Sequence, residues 1–211
     1  MSNSYNNFDS NNFDRNSMIK QRVSEVTAYM YKQFCDYQHI NENTSEIFAN
    51  MANVAKEVAE QLKQSFASRG VATENIWVKF DTKVPAIIIN VFWLQYSFTM
   101  RCNFKPQALF REGSTSLYSG RIMAVKGDYF VAVANAKTPD AEMACLLDKE
   151  LASLYVPANK MENAIIKARY GSKEIPLNQT DAGREFVLKI TESIVTDTMY
   201  HEEGARKSFN I

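Results

Sequence analysis

The chain has 211 residues, of which 24 are Lys or Arg and 24 are Asp or Glu, so its formal net charge is zero. This balance excludes a generic polyanion-binding protein, whose excess of basic residues would be directed at phosphate. With 45% hydrophobic and 12% aromatic residues, wholesale disorder is also excluded, and the length suits one substantial core.

The first 17 residues form an Asn- and Ser-rich head. They include six Asn and four Ser, and apart from Met1 they contain no aliphatic residue. Such a segment buries too little apolar area to offset the entropy of ordering it, which predicts a disordered head over residues 1–17. An Asn-Asn-Phe-Asp motif occurs twice within it and supplies Phe8 and Phe13. The alternative is therefore a repeated anchor in which these two rings dock on a partner.

Two runs of apolar residues at helical spacing follow the head. The first run consists of Ile19, Val23, Val26, Met30, Phe34 and Tyr37. The second run consists of Ile47, Met51, Val54, Val58, Leu62 and Phe66. Between them the pattern breaks over residues 39–43, and Asn43 and Glu46 have the spacing of an N-cap and its capping-box partner. We expect an antiparallel pair of helices over residues 18–70, with Gly70 as the final cap.

From Ile76 the periodicity changes from helical to alternating. Residues 76–80 predict one strand, and a second strand follows with a break near Trp93, because about 16 residues would be an unusually long strand. Residues 121–126 and 129–136 flank Gly127 and Asp128, which predicts a hairpin. Residues 76–136 are therefore expected to form a meander of four or five antiparallel strands with a long arm at 103–120.

Helical patterns return after the meander. Thr138 and Pro139 suit an N-cap and a first helical residue, and an apolar stripe continues this helix to Pro157. A shorter helix is expected over residues 159–169 and a last helix over 181–200. The apolar side chains of the last helix that should face the core are Val187, Ile190 and Ile194.

Together these elements predict an α+β fold. It would consist of two N-terminal helices, a four- to five-stranded antiparallel meander and two to three C-terminal helices packed on the sheet. We expect a single α+β domain over residues 18–200, with its C-terminal helices over 139–200, and a polar tail over 201–211.

Little in the sequence points to catalysis. The three cysteines, at positions 35, 102 and 145, form no CxxC pair, and the two histidines lie in no ligand-spaced cluster. There is no P-loop, no G-x-G-x-x-G, no G-x-S-x-G and no H-E-x-x-H. We therefore predict no enzymatic activity, no metal and no cofactor.

The sequence also carries no signal for a membrane. The N-terminus has no basic segment followed by an apolar one, and polar residues interrupt the most apolar stretch, residues 84–100. We expect no membrane partner and a cytoplasmic location, or a place in the virion if the protein is viral.

The charges are unevenly distributed although their sum is zero. The net charge is −2 over residues 1–75, +4 over 76–136 and −2 over 137–211. The basic residues of the middle region are interleaved with aromatic ones, an arrangement that can bind single-stranded nucleic acid by stacking and phosphate contact. The basic residues of this alternative nucleic-acid site are Arg101, Lys105, Arg111, Arg121 and Lys126.

The arm over residues 103–120 supports a different hypothesis. About 18 residues is long for a connection in a compact domain, and the apolar content of this one suits docking on another chain. Its apolar side chains are Phe104, Leu109, Phe110, Leu117 and Tyr118. Together with Phe8 and Phe13 they are the expected partner-binding residues of a homo-oligomer or of contacts with other protein subunits.

These observations favour a non-enzymatic structural subunit that acts in assembly. The order of helices, meander and helices looks broadly like that of small phage neck, connector or tail-terminator proteins, which would make the protein a virion component. This likeness lies in architecture alone, and no motif carries it. Two alternatives stay open: a nucleic-acid accessory protein, and an enzyme or small-ligand-binding protein with a pocket between meander and helices.

Overall fold

The structure is a computed structural model that describes residues 9–81, 83–106, 118–169 and 174–195, and these ranges hold four helices and seven strands. The helices are α1 (Asp9–Ala67), α2 (Tyr129–Val133), α3 (Pro139–Asp148) and α4 (Gln179–Val195). The strands are β1 (Ile76–Asp81), β2 (Ala86–Val91), β3 (Leu94–Pro106), β4 (Tyr118–Lys126), β5 (Glu150–Pro157), β6 (Ala164–Ala168) and β7 (Glu174–Leu177). The predicted α+β class is confirmed, whereas the numbers of helices and strands differ from the prediction.

The seven strands form one antiparallel sheet in which each strand pairs with its neighbours in the sequence. After β1, the carboxylate of Asp81 accepts hydrogen bonds from the backbone N–H groups of Val84 (3.0 Å) and Lys83 (2.8 Å). These bonds stabilise the charged carboxylate and lower the pKa of Asp81. Between β2 and β3 the chain reverses at Phe92, which has a positive φ of 58°, and at Trp93. The break predicted near Trp93 is therefore confirmed as a hairpin turn.

One face of the sheet is covered by α1 and α4. Because strand side chains alternate between faces, every second residue of the strands points into the core beneath these helices. The largest fully buried side chains of this core include Met51, Ile87, Ile89, Tyr96, Phe98, Ile122 and Phe186. The hydroxyls of Tyr96 on β3 and Thr191 on α4 lie 2.6 Å apart and join the last helix to the sheet. The inward positions predicted for that helix are confirmed, since Val187, Ile190 and Ile194 are fully buried.

The opposite face of the sheet carries a smaller core under α2 and α3. It consists of Ala86, Met123, Val125, Tyr129 and Leu146. The two faces of the sheet thus differ. The face towards α1 and α4 is apolar along all of the strands that these helices cover. The opposite face also buries Ser97, Thr99, Arg121 and Ser153.

The expected pair of N-terminal helices is a single helix of 59 residues, so the prediction of a break at 39–43 is wrong. No Gly or Pro interrupts residues 9–67, and the backbone therefore has no cause to leave the helix. Asn43 is not an N-cap. It is buried, and its amide donates hydrogen bonds to the carbonyls of Pro157 (3.2 Å) and Ala158 (2.8 Å) at the end of β5. In the sequence Asn43 suggested a helix boundary, but in the structure it makes a tertiary contact.

Helix α1 also begins earlier than the sequence suggested. Its first residue is Asp9, so the second half of the stretch expected to be disordered is helical. Residues 1–8, the polar tail over 201–211 and the end of the last helix beyond Val195 lie outside the described residues.

The hairpin expected at Gly127 and Asp128 is a strand followed by a short helix. Gly127 has the predicted positive φ, of 83°, but its backbone N–H donates to the carbonyl of Gln95 on β3. The side chain of Asp128 then accepts a hydrogen bond of 2.7 Å from the N–H of Phe130 and caps α2. A helix cap therefore replaces the turn and the second strand that the sequence pattern predicted over 129–136.

The region expected to be helical over 139–169 contains two strands. Thr138 caps α3 and Pro139 opens it, as predicted, but this helix ends at Asp148 and the chain continues as β5. Seven of the eight residues of β5 are buried, because both of its faces are covered. A short run that is apolar on both faces has no distinct period, so its apolar residues could be taken for the continuation of the helical stripe. Likewise, β6 occupies the place of the helix expected over 159–169.

Two glycines allow α1 to lie close to its neighbours. A Cβ built on Gly120 of β4 would overlap the Thr44 hydroxyl and come within 3.0 Å of the Ile40 side chain. A Cβ on Gly183 of α4 would lie 3.0 Å from the Ile47 carbonyl oxygen and from the Met51 side chain. Both contacts are with α1, so the helix is held between a strand and a helix at points where only glycine fits.

We predict that Gly183→Ala destabilises the protein. Ala favours a helix interior over Gly by about 1 kcal/mol, but the added methyl group meets the α1 backbone, and overpacking costs about 1–3 kcal/mol. Equilibrium denaturation with urea measures the difference. Arg184→Ala, at the exposed neighbouring position, is the control and should stay within about 0.5 kcal/mol. A stabilised Gly183→Ala variant would show that the two helices are free to separate.

Candidate functional site

Part of α1 lies outside the core. Residues 17–32 are exposed at all sixteen positions, and we call this segment the α1 extension. At a rise of about 1.5 Å per residue it is about 24 Å long. It carries large apolar side chains that are more than half exposed, namely Met18, Ile19, Val23, Val26, Tyr29, Met30 and Tyr31. The extension is therefore a long, apolar and uncovered helix surface.

The apolar stripe of the extension is the same stripe that binds α1 to the sheet. Its positions, spaced alternately by four and three residues, are 19, 23, 26, 30, 33, 37, 40, 44, 47, 51, 54 and 58. This spacing averages 3.5 residues, as in a coiled-coil seam. Val23 and Val26 are 58% exposed, whereas Ile40 and Met51 further along the stripe are completely buried. The core covers this continuous seam from position 33 onward and leaves its first four positions open.

Contact with the sheet begins where β4 begins. The ring of Tyr118 stacks on Tyr37, with ring centroids 5.1 Å apart, and the Gln33 amide donates to the Tyr118 hydroxyl at 3.5 Å. Burial, followed by the hydrogen bond and the charge interaction with Tyr118, raises the pKa of Tyr37. Gln33 and Tyr37 are stripe positions, so among the described residues Tyr118 marks the point at which the covered part of the seam starts.

A buried ion pair lies on the opposite face of the sheet. The Arg121 guanidinium contacts Glu150 at 2.5 Å through Nη2 and donates from Nε to the Ser153 hydroxyl at 2.7 Å. Ser153 in turn donates to Glu150 at 2.5 Å. Arg121 is only 3% exposed, and burial is the main cause that raises the pKa of the neighbouring Tyr155. Arg121, Glu150 and Ser153 are thus bonded to one another. The triad joins β4 to β5 and presents no free nucleophile.

Two hydroxyls near this triad have no hydrogen-bond partner. They belong to Thr99 on β3 and Ser119 on β4, and both are fully buried. An unpaired buried hydroxyl costs about 1–3 kcal/mol.

A polar groove runs between α1 and the loop after β5. Its volume is about 560 Å³, and it is lined by Lys32, Asp36, His39, Glu42, Asn43, Ala158, Asn159 and Lys160. The Gln179 amide holds the loop by donating to the carbonyls of Asn159 (2.8 Å) and Glu162 (3.0 Å). The groove is bordered by an exposed ion pair between Lys160 and Glu46, a kind of contact that contributes little to stability.

The structure describes only some of the predicted site residues. Of the expected partner-binding residues, Phe13 lies in α1 and Phe104 in β3, whereas Phe8, Leu109, Phe110 and Leu117 lie outside the described residues. Tyr118 is described, and its ring is engaged with Tyr37 within the same chain.

Of the expected nucleic-acid residues, the structure describes the side chains of Arg121 and Lys126, and these two differ in exposure. Arg101 and Lys105 lie on β3, Arg111 lies outside the described residues, and Lys126 is exposed at the end of β4. Arg121 is buried and paired with Glu150, so its guanidinium is not available to a phosphate in this structure. The sequence could not reveal this, because Glu150 is 29 residues away and lies in a segment expected to be helical.

Sequence reasoning missed the α1 extension as an exposed surface. Its apolar residues were recognised but were assigned to the inner face of a helical pair. The signal that identifies the extension is the unbroken 3.5-residue spacing through residues 33 and 44, where Gln33 and Thr44 occupy stripe positions. A single helix longer than the sheet it covers must extend beyond it.

The described residues contain neither a metal cluster nor a membrane span. No three His, Cys, Asp or Glu side chains among them converge in a way that could hold a metal ion. In the same ranges, no helix is both long enough and apolar enough to cross a membrane. The cysteines whose side chains are described, Cys35 and Cys145, are free and half-buried.

Comparison of the chain with protein-family models, with curated proteins and with solved structures finds no match in any of the three.

We predict that Arg121→Ala destabilises the protein by about 3–5 kcal/mol, because Glu150 would keep a buried charge without its partner. Urea denaturation of the single variants and of Arg121→Met combined with Glu150→Leu tests this. The double variant should recover most of the loss, since two apolar side chains leave no charge unpaired. Lys126→Ala, at an exposed position of the same strand, is the control. An Arg121→Ala variant as stable as the control would contradict the prediction.

Proposed function

We propose that the protein is a non-enzymatic structural subunit that assembles through protein–protein contacts made by the α1 extension. The observation that carries this proposal is the open part of the α1 seam, which lies in a run of sixteen consecutive exposed helical residues, 17–32.

A helix of this length gains little stability by itself. Isolated helices of about 12–15 residues are marginal in water, and most helices in proteins owe their stability to the packing of an apolar face. Residues 17–32 carry such a face and leave it exposed, so a partner would supply the contact that stabilises them.

The exposed side chains are large enough to drive association. Full burial of a Val, Ile or Met side chain contributes about 1.5–3 kcal/mol. Ile19, Val23, Val26 and Met30 are between 53% and 63% exposed, so about 0.8–1.9 kcal/mol of that burial energy is still available from each of them. Apolar patches of this kind mark interaction surfaces on proteins that otherwise keep polar exteriors.

The expectation that the protein acts in a phage virion, as a neck, connector or tail-terminator component, stays a prediction. It depended on the order of elements along the chain, and the observed order has one N-terminal helix and seven strands. The proposal of an assembly subunit does not depend on it, because it follows from the exposed seam.

A photo-crosslinking residue tests the proposal in cells that naturally express the protein. At position 30 of the seam it should form a covalent adduct with a protein chain, of the same or another kind, because the partner would lie against Met30. The control is position 131, where Val131 is 70% exposed on α2. Adducts that form equally well at both positions, or at neither, would contradict the proposal.

Charged substitutions within the seam provide a second test. The variant with Val23→Glu and Val26→Glu should lose the adduct at position 30, because burying two carboxylates against a partner costs more than the apolar contact contributes. Its free energy of unfolding should stay within about 0.5 kcal/mol of the parent, since both side chains are exposed in the single chain. A loss of several kcal/mol would show instead that the segment is part of the core.

A further inference from the structure

We propose that the polar groove between α1 and the loop after β5 binds a guanidinium group. The observation behind this proposal is a pair of buried amide side chains, Asn43 and Gln179. Their nitrogen atoms are hydrogen-bonded within the chain, whereas their oxygen atoms accept no hydrogen bond from the described residues. The proposal does not depend on the α1 extension as an assembly surface, because both amides lie outside residues 17–32.

The orientation of both amides is fixed by carbonyl groups. Asn43 donates from Nδ2 to the carbonyls of Pro157 (3.2 Å) and Ala158 (2.8 Å). Gln179 donates from Nε2 to the carbonyls of Pro157 (3.4 Å) and Asn159 (2.8 Å). A carbonyl oxygen can only accept a hydrogen bond, so in each amide the nitrogen faces the carbonyls and the oxygen faces away from them.

The two amide oxygens open into adjoining recesses. Asn43 lines both the groove of about 560 Å³ and a second recess of about 350 Å³, which Gln179 also lines. Both nitrogens donate to the Pro157 carbonyl, so the two side chains are neighbours. Among the described residues, the only fully enclosed side-chain atoms without a partner belong to Thr99 and Ser119. The amide oxygens of Asn43 and Gln179 are therefore accessible from the groove, although the residues themselves are only 3% and 8% exposed.

The charges around the two recesses favour a cation. Of Lys, Asp and Glu, the lining contains two lysines and three carboxylates. Both lysines are paired, Lys32 with Asp36 at 3.3 Å and Lys160 with Glu46 at 2.7 Å. The third carboxylate, Glu42, has no ion-pair or hydrogen-bond partner among the described residues. The groove thus offers one unpaired negative charge together with two neutral acceptors.

A guanidinium group matches this arrangement. It is planar, carries a positive charge and has five N–H donors in a fixed fork, so it can donate to several separate acceptors at once. An ammonium group instead concentrates its donors at one nitrogen atom. The groove volume of about 560 Å³ lies within the range of roughly 300–1,000 Å³ that small-molecule sites have. A free small molecule or the arginine side chain of a peptide could therefore supply the guanidinium.

Titration of the full chain, followed by amide NMR spectroscopy, tests the proposal. The probes are free L-arginine and Nα-acetyl-L-arginine amide. The side-chain amide signals of Asn43 and Gln179 should shift and saturate, because a hydrogen bond to an amide oxygen changes the electron distribution of the whole amide. The signal of Asn53, which is exposed further along α1, should not move.

Matched probes and variants separate guanidinium recognition from general binding. The citrulline counterparts, in which an uncharged urea group replaces the guanidinium, should bind at least about tenfold more weakly. Glu42→Gln should weaken binding of the arginine probes about threefold to tenfold, because it removes the unpaired charge. Glu57→Gln, at an exposed position of the same helix outside the groove, should leave binding unchanged.

The same titrations identify the source of the guanidinium and can overturn the proposal. Tighter binding of the capped probe assigns the site to a protein side chain, and tighter binding of free arginine assigns it to a small molecule; both support the site. The proposal fails if no signal saturates up to about 20 mM, well above the roughly millimolar dissociation constant expected for so few contacts. It also fails if the citrulline probes bind equally well, or if binding leaves the signals of Asn43 and Gln179 unmoved.

Discussion

The seam along α1 is the contact on which the other elements depend. Ile40, Ile47 and Met51 bury it against the sheet, and two glycines bring the neighbours close, Gly120 from β4 and Gly183 from α4. Helix α1 contacts the strands from β1 to β5 and also packs on α4, so most of the meander is covered by this one helix. The same seam continues past the sheet as an uncovered apolar surface. Core packing and the proposed assembly contact are therefore two uses of one sequence pattern.

Polar side chains inside the fold serve mainly to connect segments that are distant in sequence. Asn43 holds the end of β5, Gln179 holds the loop that follows it, and Thr191 meets Tyr96 across the helix–sheet boundary. The triad that contains Arg121 performs the same task between β4 and β5. Buried polar groups require partners, and for these side chains the partners belong to other elements of the fold. This explains why residues that suggested boundaries or binding sites in the sequence have structural roles.

The proposed function places the interaction surface on a helix rather than on the loop that the sequence favoured. A helix presents its side chains in a defined geometry, so an apolar stripe on it specifies a partner helix more closely than a flexible loop would.

The uneven distribution of charge along the chain says less about the protein surface than the sequence suggested. Part of the basic excess of the middle region is neutralised internally, because Arg121 faces Glu150, so the balance of +4 overstates the charge available at the surface.

The sequence by itself determined the α+β class, the turn at Trp93, the cap at Thr138 and the inward face of α4, because each depends on neighbouring residues only. It also determined the helical stripe from Ile19 to Val58, although not that one helix carries all of it. Tertiary structure decided the rest. Whether residues 150–157 form a helix or a strand depends on coverage of both faces, and the role of Arg121 depends on a carboxylate 29 residues away. Above all, where the seam is buried and where it is open depends on how far the sheet extends beneath α1, and sequence periodicity contains no information about that distance.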